Sequence, residues 1–212
     1  MKLFFKCYGI FSNLPYKIIM LVVFPILAIG MEILGKLANA PMFALHLSFL
    51  TGACIFADNW VLNGICNKKS LSMDFVNSSK RGFLIMKLAI VSEMTVRFLL
   101  CVGVFLVTGF IGGYLLAGFI FGLICFTIGT IGITICRHLE SLQIVMMITA
   151  LSASGAAALS AAIIVWQRDL LLPGIQGFGE LLPLIISVAA AIVIAAGSSI
   201  YTIKRVEETY HD

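Results

Sequence analysis

Long apolar runs separated by short polar breaks make up most of this chain of 212 residues. Five or six of the runs hold about 18 or more residues with few charges. At about 1.5 Å of rise per residue, such a run can cross a hydrocarbon core about 30 Å thick. The pattern therefore predicts an all-α membrane protein, a single transmembrane domain with six spans at about residues 18–34, 42–61, 83–109, 114–136, 142–166 and 182–203.

Two segments outside these spans have patterns of their own. Residues 1–16 mix Lys2 and Lys6 with large apolar side chains, which predicts an interfacial helix lying in the headgroup region and retained in the protein. Residues 167–181 are interrupted by Pro173 and several glycines and are too short to cross. They predict a broken hairpin, external or re-entrant, that dips into the outer leaflet and has its backbone buried by protein.

The longest polar break runs from Asp58 to Arg81, between spans 2 and 3. Its apolar residues stand at helical spacing behind the possible caps Ser70 and Ser72, which predicts a short amphipathic helix on a basic loop. Such a helix is suited to contact another protein or the lipid headgroups. The apolar positions are Leu71, Phe75 and Val76, and the basic ones are Lys68, Lys69, Lys80 and Arg81.

The distribution of basic residues predicts the topology. With both termini cytoplasmic, eleven of the 14 basic residues lie inside, Lys36 and Arg168 lie outside, and Arg97 lies within a span. The eleven are Lys2, Lys6, Lys17, Lys68, Lys69, Lys80, Arg81, Lys87, Arg137, Lys204 and Arg205. We therefore expect a multi-pass protein of the cell membrane with the polar loop in the cytoplasm.

Composition excludes other classes of protein. Hydrophobic residues make up 61% of the chain and charged residues 11%, which does not fit a water-soluble globular domain. The net charge of +4 follows the side of the membrane rather than one folded face, so it indicates no nucleic-acid partner.

Ionisable side chains within the predicted spans are candidates for function. Glu93 and Arg97 lie deep in span 3, four residues apart on one helical face, where a charge costs at least about 2.5–3.5 kcal/mol. They either neutralise each other or line a polar path. His46 is expected to be a hydrogen-bonded structural histidine, and Lys36 is expected to neutralise Glu32 at the outer interface.

Small residues recur along one face of span 4. The spacing predicts close packing against another helix, within the subunit or between subunits, rather than chemistry. This glycine seam consists of Gly118, Gly122, Gly129 and Gly132, with Cys125 between Gly122 and Gly129 and Cys136 after Gly132.

No motif in the chain predicts catalysis or a bound cofactor. The sequence lacks a nucleophile elbow, a zinc-protease motif and a nucleotide-binding phosphate loop. Its six cysteines show no metal-ligand spacing, and we expect them to act as small apolar side chains without a metal site or a disulfide framework. The chain is therefore expected not to be an enzyme, and any energy for work must come from a partner.

The order of these parts resembles the permease subunits of type 2 ATP-binding-cassette exporters, among them the small six-span bacterial members. In that family an aromatic and an acidic residue close span 2, and a Gly, a Ser, a basic residue and a Lys lead into span 3. Here the matching residues are Phe56, Asp58, Gly64, Ser78 or Ser79, Arg81 and Lys87, whereas Phe75, Val76 and Asn77 replace the family's Leu-Pro pair. The resemblance implies that residues 62–82 form a cytoplasmic coupling loop and that residues 167–181 are extracellular.

The resemblance also implies a function. The chain would form a dimeric translocation path, with a second copy or a related permease, and would export a peptide, lipid or drug-like substrate. A separate ATPase subunit would bind ATP and magnesium, and the coupling loop would contact it. Two alternatives stay open: a secondary transporter that uses Glu93, His46 and Glu32, and a membrane assembly or immunity subunit without transport of its own.

Overall fold

The computed structural model describes residues 14–37, 51–56, 81–136, 139, 141–166 and 178–210. These residues form five long helices and one short helical segment, residues 51–56, with no strand in the described ranges. We number the helices α1 to α5. Their bounds are Leu14–Leu37, Gly82–Gly112, Leu115–Cys136, Leu142–Trp166 and Phe178–Tyr210.

Each of the five helices contains a stretch that is long and apolar enough to cross a membrane. The predictions of an all-α chain and of membrane-spanning helices are confirmed to that extent. The second predicted span, residues 42–61, is described only at residues 51–56, which are helical. The predicted interfacial helix is described only from Leu14, where α1 begins.

Three helices extend beyond the limits predicted for them, among them α1, which covers Leu14–Leu37 where residues 18–34 were predicted. Helix α2 continues three residues past the predicted end, to Gly112, and α5 begins at Phe178, inside the segment predicted as a hairpin. Helix α5 therefore includes Pro183 near its start, where the missing N–H removes one backbone hydrogen bond from the first turns. The rest of the predicted hairpin lies outside the described residues.

A π-helical turn interrupts α1 at Ile19–Val23, directly before Pro25. Its hydrogen bond joins the Phe24 N–H to the carbonyl of Ile19, five residues back. The ring of a proline inside a helix clashes with the carbonyl four residues earlier, here Leu21, and a π turn widens the helix locally. The helix therefore accommodates Pro25 by a wider turn just ahead of it.

Helix α3 is the centre of the fold, because it packs against α2, α4 and α5, and most of its residues are buried. Helix α1 packs on α2 through a stripe at four-residue spacing, while its other faces expose large apolar side chains. The buried stripe consists of Tyr16, Met20, Phe24, Ala28 and Glu32. Exposed leucine, isoleucine and valine side chains on α1 and α5 are expected of helices that face lipid.

The glycine seam packs inside the subunit. A Cβ at Gly118 would lie 2.3 Å from the Phe105 carbonyl oxygen, and one at Gly122 would lie 3.0 Å from Val102 Cα. The backbones of α2 and α3 therefore touch along this part of the seam, as small residues permit in membranes. Gly129 faces Ile55 of the 51–56 segment, and Gly132 is buried on the same helix.

The 51–56 segment lies between α3 and α4. A Cβ at Gly52 would lie 3.0 Å from the Ala153 carbonyl oxygen and 3.2 Å from the Ala157 Cβ. On its other side, Ile55 is buried against Gly129 of α3. The segment thus packs closely on small residues of α4, and this packing places Cys54 in the core.

Candidate functional site

The two intramembrane charges predicted from the sequence form an ion pair on the buried face of α2. Arg97 Nη2 donates to Glu93 Oε1 at 2.9 Å, and each side chain is only 3% exposed. Both residues also have further interactions. The observed geometry therefore fits mutual neutralisation, one of the two predicted alternatives. The ion pair alone does not show that the two side chains line a polar path.

The pair lies at the middle of its helix. Arg97 is the central residue of the 31 in Gly82–Gly112, and at about 1.5 Å per residue it lies about 22 Å from either end. Phe98 meets Phe126 edge to face at 5.3 Å between ring centroids, and Thr130 donates to the Met94 sulfur at 3.7 Å. Arg97 is thus held in register with the core of α3, at a depth where an unpaired charge would be costly.

A polar corner joins the ends of α1 and α2 to the start of α3. Tyr114 donates its hydroxyl hydrogen to Glu32 Oε1 at 2.5 Å, and Lys36 Nζ donates to the Ile111 carbonyl at 2.8 Å. Lys36 thereby stabilises the negative end of the α2 dipole. The predicted neutralisation of Glu32 by Lys36 is replaced by two contacts between helices, because the tertiary fold brings better partners within reach.

Glycines make this corner possible. Gly113 adopts φ +86°, the left-handed conformation that ends α2, and Tyr114 N–H returns to the Gly109 carbonyl at 2.8 Å. A Cβ at Gly112 would collide with the Tyr114 ring. The hydrogen bond to Glu32 makes the Tyr114 hydroxyl a donor at this corner.

Three cysteines converge in the core, which the sequence did not predict. The Sγ atoms of Cys54, Cys101 and Cys125 all lie within 4.8 Å of one another, with 3.8 Å between Cys101 and Cys125. Cys125 also points toward the Thr51 carbonyl, at 4.0 Å. We call these three residues the thiol cluster. Among the described residues it is the group of side chains able to hold a metal ion.

Most of the coupling-loop residues predicted from the sequence, and His46, lie outside the described residues. Arg81 is described: it is exposed and directly precedes α2, and its carbonyl accepts a hydrogen bond from Ile85 N–H at 3.0 Å. One turn further on, the Lys87 ammonium lies 4.0 Å from the centroid of the Phe83 ring. Helix α2 therefore begins directly after Arg81, and its first two turns carry the Lys87 cation.

An apolar groove of about 740 Å³ opens between α3, α4 and α5. Helix α3 forms its floor, and Thr127 and Ser187 are the polar residues of a mostly aliphatic lining. The other lining residues are Ile120, Ile124, Ile128, Leu159, Ala162, Leu182, Pro183, Ile186 and Ala190. A groove of this chemistry suits a lipid chain or another apolar helix.

Comparison with protein-family models, with curated proteins and with solved structures finds no match for this chain. The function is therefore inferred from the residues themselves and from the geometry described above.

Proposed function

We propose that this chain is the membrane-spanning permease subunit of an ATP-binding-cassette transporter, driven by a separate ATPase. The observation that supports this most directly is where α2 begins. Its first residue, Gly82, is the last residue of the predicted coupling loop, and the helix runs without interruption to Gly112. In the proposal α2 moves as one unit, so that a push on the loop reaches the far end of the bundle.

The contacts of α2 support the same proposal. Its far half touches the α3 backbone at Gly118 and Gly122, its middle holds the Glu93–Arg97 pair, and its end meets α1 through Lys36. Movement of α2 would therefore displace α1 and α3 with it. In the proposed cycle, ATP-driven closure of the ATPases tilts α2 and switches access to a path formed by two permease subunits, with both termini in the cytoplasm.

The amphipathic part of the loop supplies the proposed contact with the ATPase. Leu71, Phe75 and Val76 would fill an apolar groove on that subunit, as amphipathic helices do in other complexes. The neighbouring Lys68, Lys69, Lys80 and Arg81 would set its orientation and hold it near anionic headgroups. The substrate would be a peptide, a lipid or a drug-like molecule, in keeping with the apolar groove between α4 and α5.

The test is a pull-down of the full-length chain with the ATP-binding-cassette ATPase encoded in a neighbouring reading frame. We expect the Leu71→Asp/Phe75→Asp variant to lose the ATPase, because two carboxylates cannot enter an apolar groove without a large desolvation cost. The matched control is Lys204→Asp/Arg205→Asp, which adds two carboxylates on the same predicted side of the membrane, at the exposed end of α5. This control should retain the ATPase.

Two results would contradict the proposal. One is normal ATPase binding by a loop variant that inserts and elutes like the parent protein. The other is substrate transport by the purified chain alone in vesicles without ATP.

The burial of Glu93 favours a second candidate, a secondary transporter in which Glu93, together with Glu32 and His46, handles protons or cations. The two candidates respond differently to the energy source. Collapse of the proton gradient would stop a secondary transporter, whereas removal of ATP would stop an ATPase-coupled one.

A further inference from the structure

We propose that the thiol cluster, Cys54, Cys101 and Cys125, binds a soft monovalent metal ion of the Cu⁺ class. The proposal concerns a site apart from the coupling loop, and it holds whether or not the chain works with an ATPase. Three thiols from three separate elements, the 51–56 segment, α2 and α3, meet at one point in the core. Their exposures are 0%, 3% and 1%.

The spacing of the sulfur atoms fits three-coordinate binding. A metal–sulfur bond is about 2.3 Å long, so a trigonal ion holds its three sulfur ligands about 4 Å apart. The Cys101 and Cys125 sulfur atoms are 3.8 Å apart, and all three lie within 4.8 Å of one another. An ion could therefore enter with side-chain shifts of a fraction of an ångström, without moving the helices.

Backbone contacts hold the cluster in place. Gly122, one turn before Cys125, packs against the Cys101 carbonyl, where a Cβ would lie 3.1 Å away. Gly52, two residues before Cys54, packs on the Ala153 carbonyl. Both close approaches depend on glycine, so each ligand-bearing element is fixed against a neighbour. A site held this way is preorganised, which lowers the cost of ordering the ligands on binding.

The number of converging thiols favours Cu⁺ over the other thiophilic ions. Thiolates select Cu⁺, Zn²⁺ and iron–sulfur clusters, but structural zinc and the common clusters take four protein ligands. Here three cysteines converge within the described residues. Because the thiolate is the form of cysteine that ligates a metal, each thiol that binds Cu⁺ gives up its proton to solvent.

The remaining described cysteine supplies a matched control. Cys136 is also buried on α3, at the end of the same small-residue face, but its sulfur points to the Val145 carbonyl at 3.8 Å. It is not part of the cluster. If the cysteines act only as small apolar side chains, Cys136 and the cluster residues should respond alike to metal ions.

The experiment uses the full-length chain in detergent, under reducing conditions without added thiols. Cys7 and Cys66, which lie outside the described residues, are first replaced by serine to remove two other thiols. Cu⁺ is then titrated against a coloured Cu⁺ chelator, and X-ray absorption counts the sulfur ligands. We expect one Cu⁺ per chain, bound by three sulfur atoms, with Zn²⁺ bound more weakly.

Substitutions in this background test the assignment. Cys101→Ser and Cys125→Ser should weaken binding by more than the roughly 10–100-fold that loss of an outer-shell partner costs. Cys136→Ser should leave it unchanged. Cys101→Ala, which adds no hydroxyl to the core, separates loss of the ligand from loss of the fold, and Cu⁺ should raise the melting temperature of the background protein but not of this variant.

Four results would overturn the proposal. They are equal Cu⁺ affinity in the background and Cys101→Ala proteins, equal weakening by Cys136→Ser, binding of Zn²⁺ in preference to Cu⁺, and failure of the folded background protein to bind Cu⁺. Each of these leaves the coupling-loop pull-down unaffected, so the two proposals are tested separately.

Discussion

Replacing Gly118 with alanine tests whether α2 and α3 pack backbone to backbone. The new Cβ would lie 2.3 Å from the Phe105 carbonyl oxygen, 3.1 Å from Gly109 Cα and 3.3 Å from the Phe105 carbonyl carbon. All three neighbours are backbone atoms of α2, so no change of side-chain rotamer relieves the contact. The two helices must move apart by more than half an ångström.

The magnitude follows from two opposing terms. Overpacking a tight interior costs about 1–3 kcal/mol, and the upper half of that range applies here because a backbone carbonyl is displaced. Alanine regains about 0.5–1 kcal/mol over glycine inside a helix. We expect a net loss of about 1–2 kcal/mol in the free energy of unfolding. For a chain of this size that corresponds to a fall of about 2–8 °C in melting temperature.

The assay is thermal unfolding of the purified protein in detergent, followed by size-exclusion chromatography of the surviving fraction. Three other glycines supply a graded series. Gly122→Ala, with a Cβ 3.0 Å from Val102 Cα, should cost less than Gly118→Ala. Gly129→Ala, whose Cβ meets Ile55 at an ordinary 3.6 Å, and Gly103→Ala, with nothing within 4 Å, should keep or raise the melting temperature.

The order of the series decides the outcome. Equal melting temperatures for the Gly118 and Gly129 variants would show that the backbones of α2 and α3 do not touch. A larger loss for Gly103→Ala than for Gly118→Ala would place the close contact on another face of α2.

Three further predictions concern the polar groups and the corner. Arg97→Met should cost up to about 3–5 kcal/mol in a denaturant titration because the buried Glu93 carboxylate loses its partner at 2.9 Å, and the double variant with Glu93→Gln should recover much of that loss. A double variant whose loss of free energy equals the sum of the losses of the two single variants would refute the coupling. Tyr114→Phe should cost about 1–3 kcal/mol because a buried oxygen of Glu32 loses its donor, and an unchanged denaturation midpoint would contradict that contact. Gly113→Ala should lower the free energy of unfolding by about 1–2 kcal/mol, because φ is +86° at this position. Gly113→Asn should cost less, since asparagine tolerates the left-handed conformation better. Equal losses for the two variants in thermal unfolding would argue against a left-handed residue at this position.

The sequence was a good guide wherever neighbours along one helix decide the structure. Apolar runs predicted the helices, and four-residue spacing predicted that Glu93 and Arg97 share a face, which their 2.9 Å contact bears out. The recurrence of small residues predicted a helix interface in α3, and Gly118 and Gly122 form one with α2. In each case the relevant distance is set by the helix period, which the order of residues contains.

Contacts between different helices could not be predicted from spacing along one helix. Glu32 and Tyr114 are 82 positions apart, and Cys101 and Cys125 are 24 apart, with no spacing that marks either pair. One signal was present for the cysteines: Cys101 follows Arg97 by four residues, on the buried face of α2. This spacing identified the buried face of α2, but not the helix that packs against that face.

The sequence alone therefore determined that the chain is helical, which stretches can cross a membrane, and which local pairs share a face. Only the tertiary structure decided the rotation and register of the helices, and with them the polar corner, the closed glycine seam and the thiol cluster. The physical reason is the surrounding medium. In water a polar face points outward and orients a helix, but in lipid nearly every face is apolar, so orientation depends on close packing and on a few polar contacts.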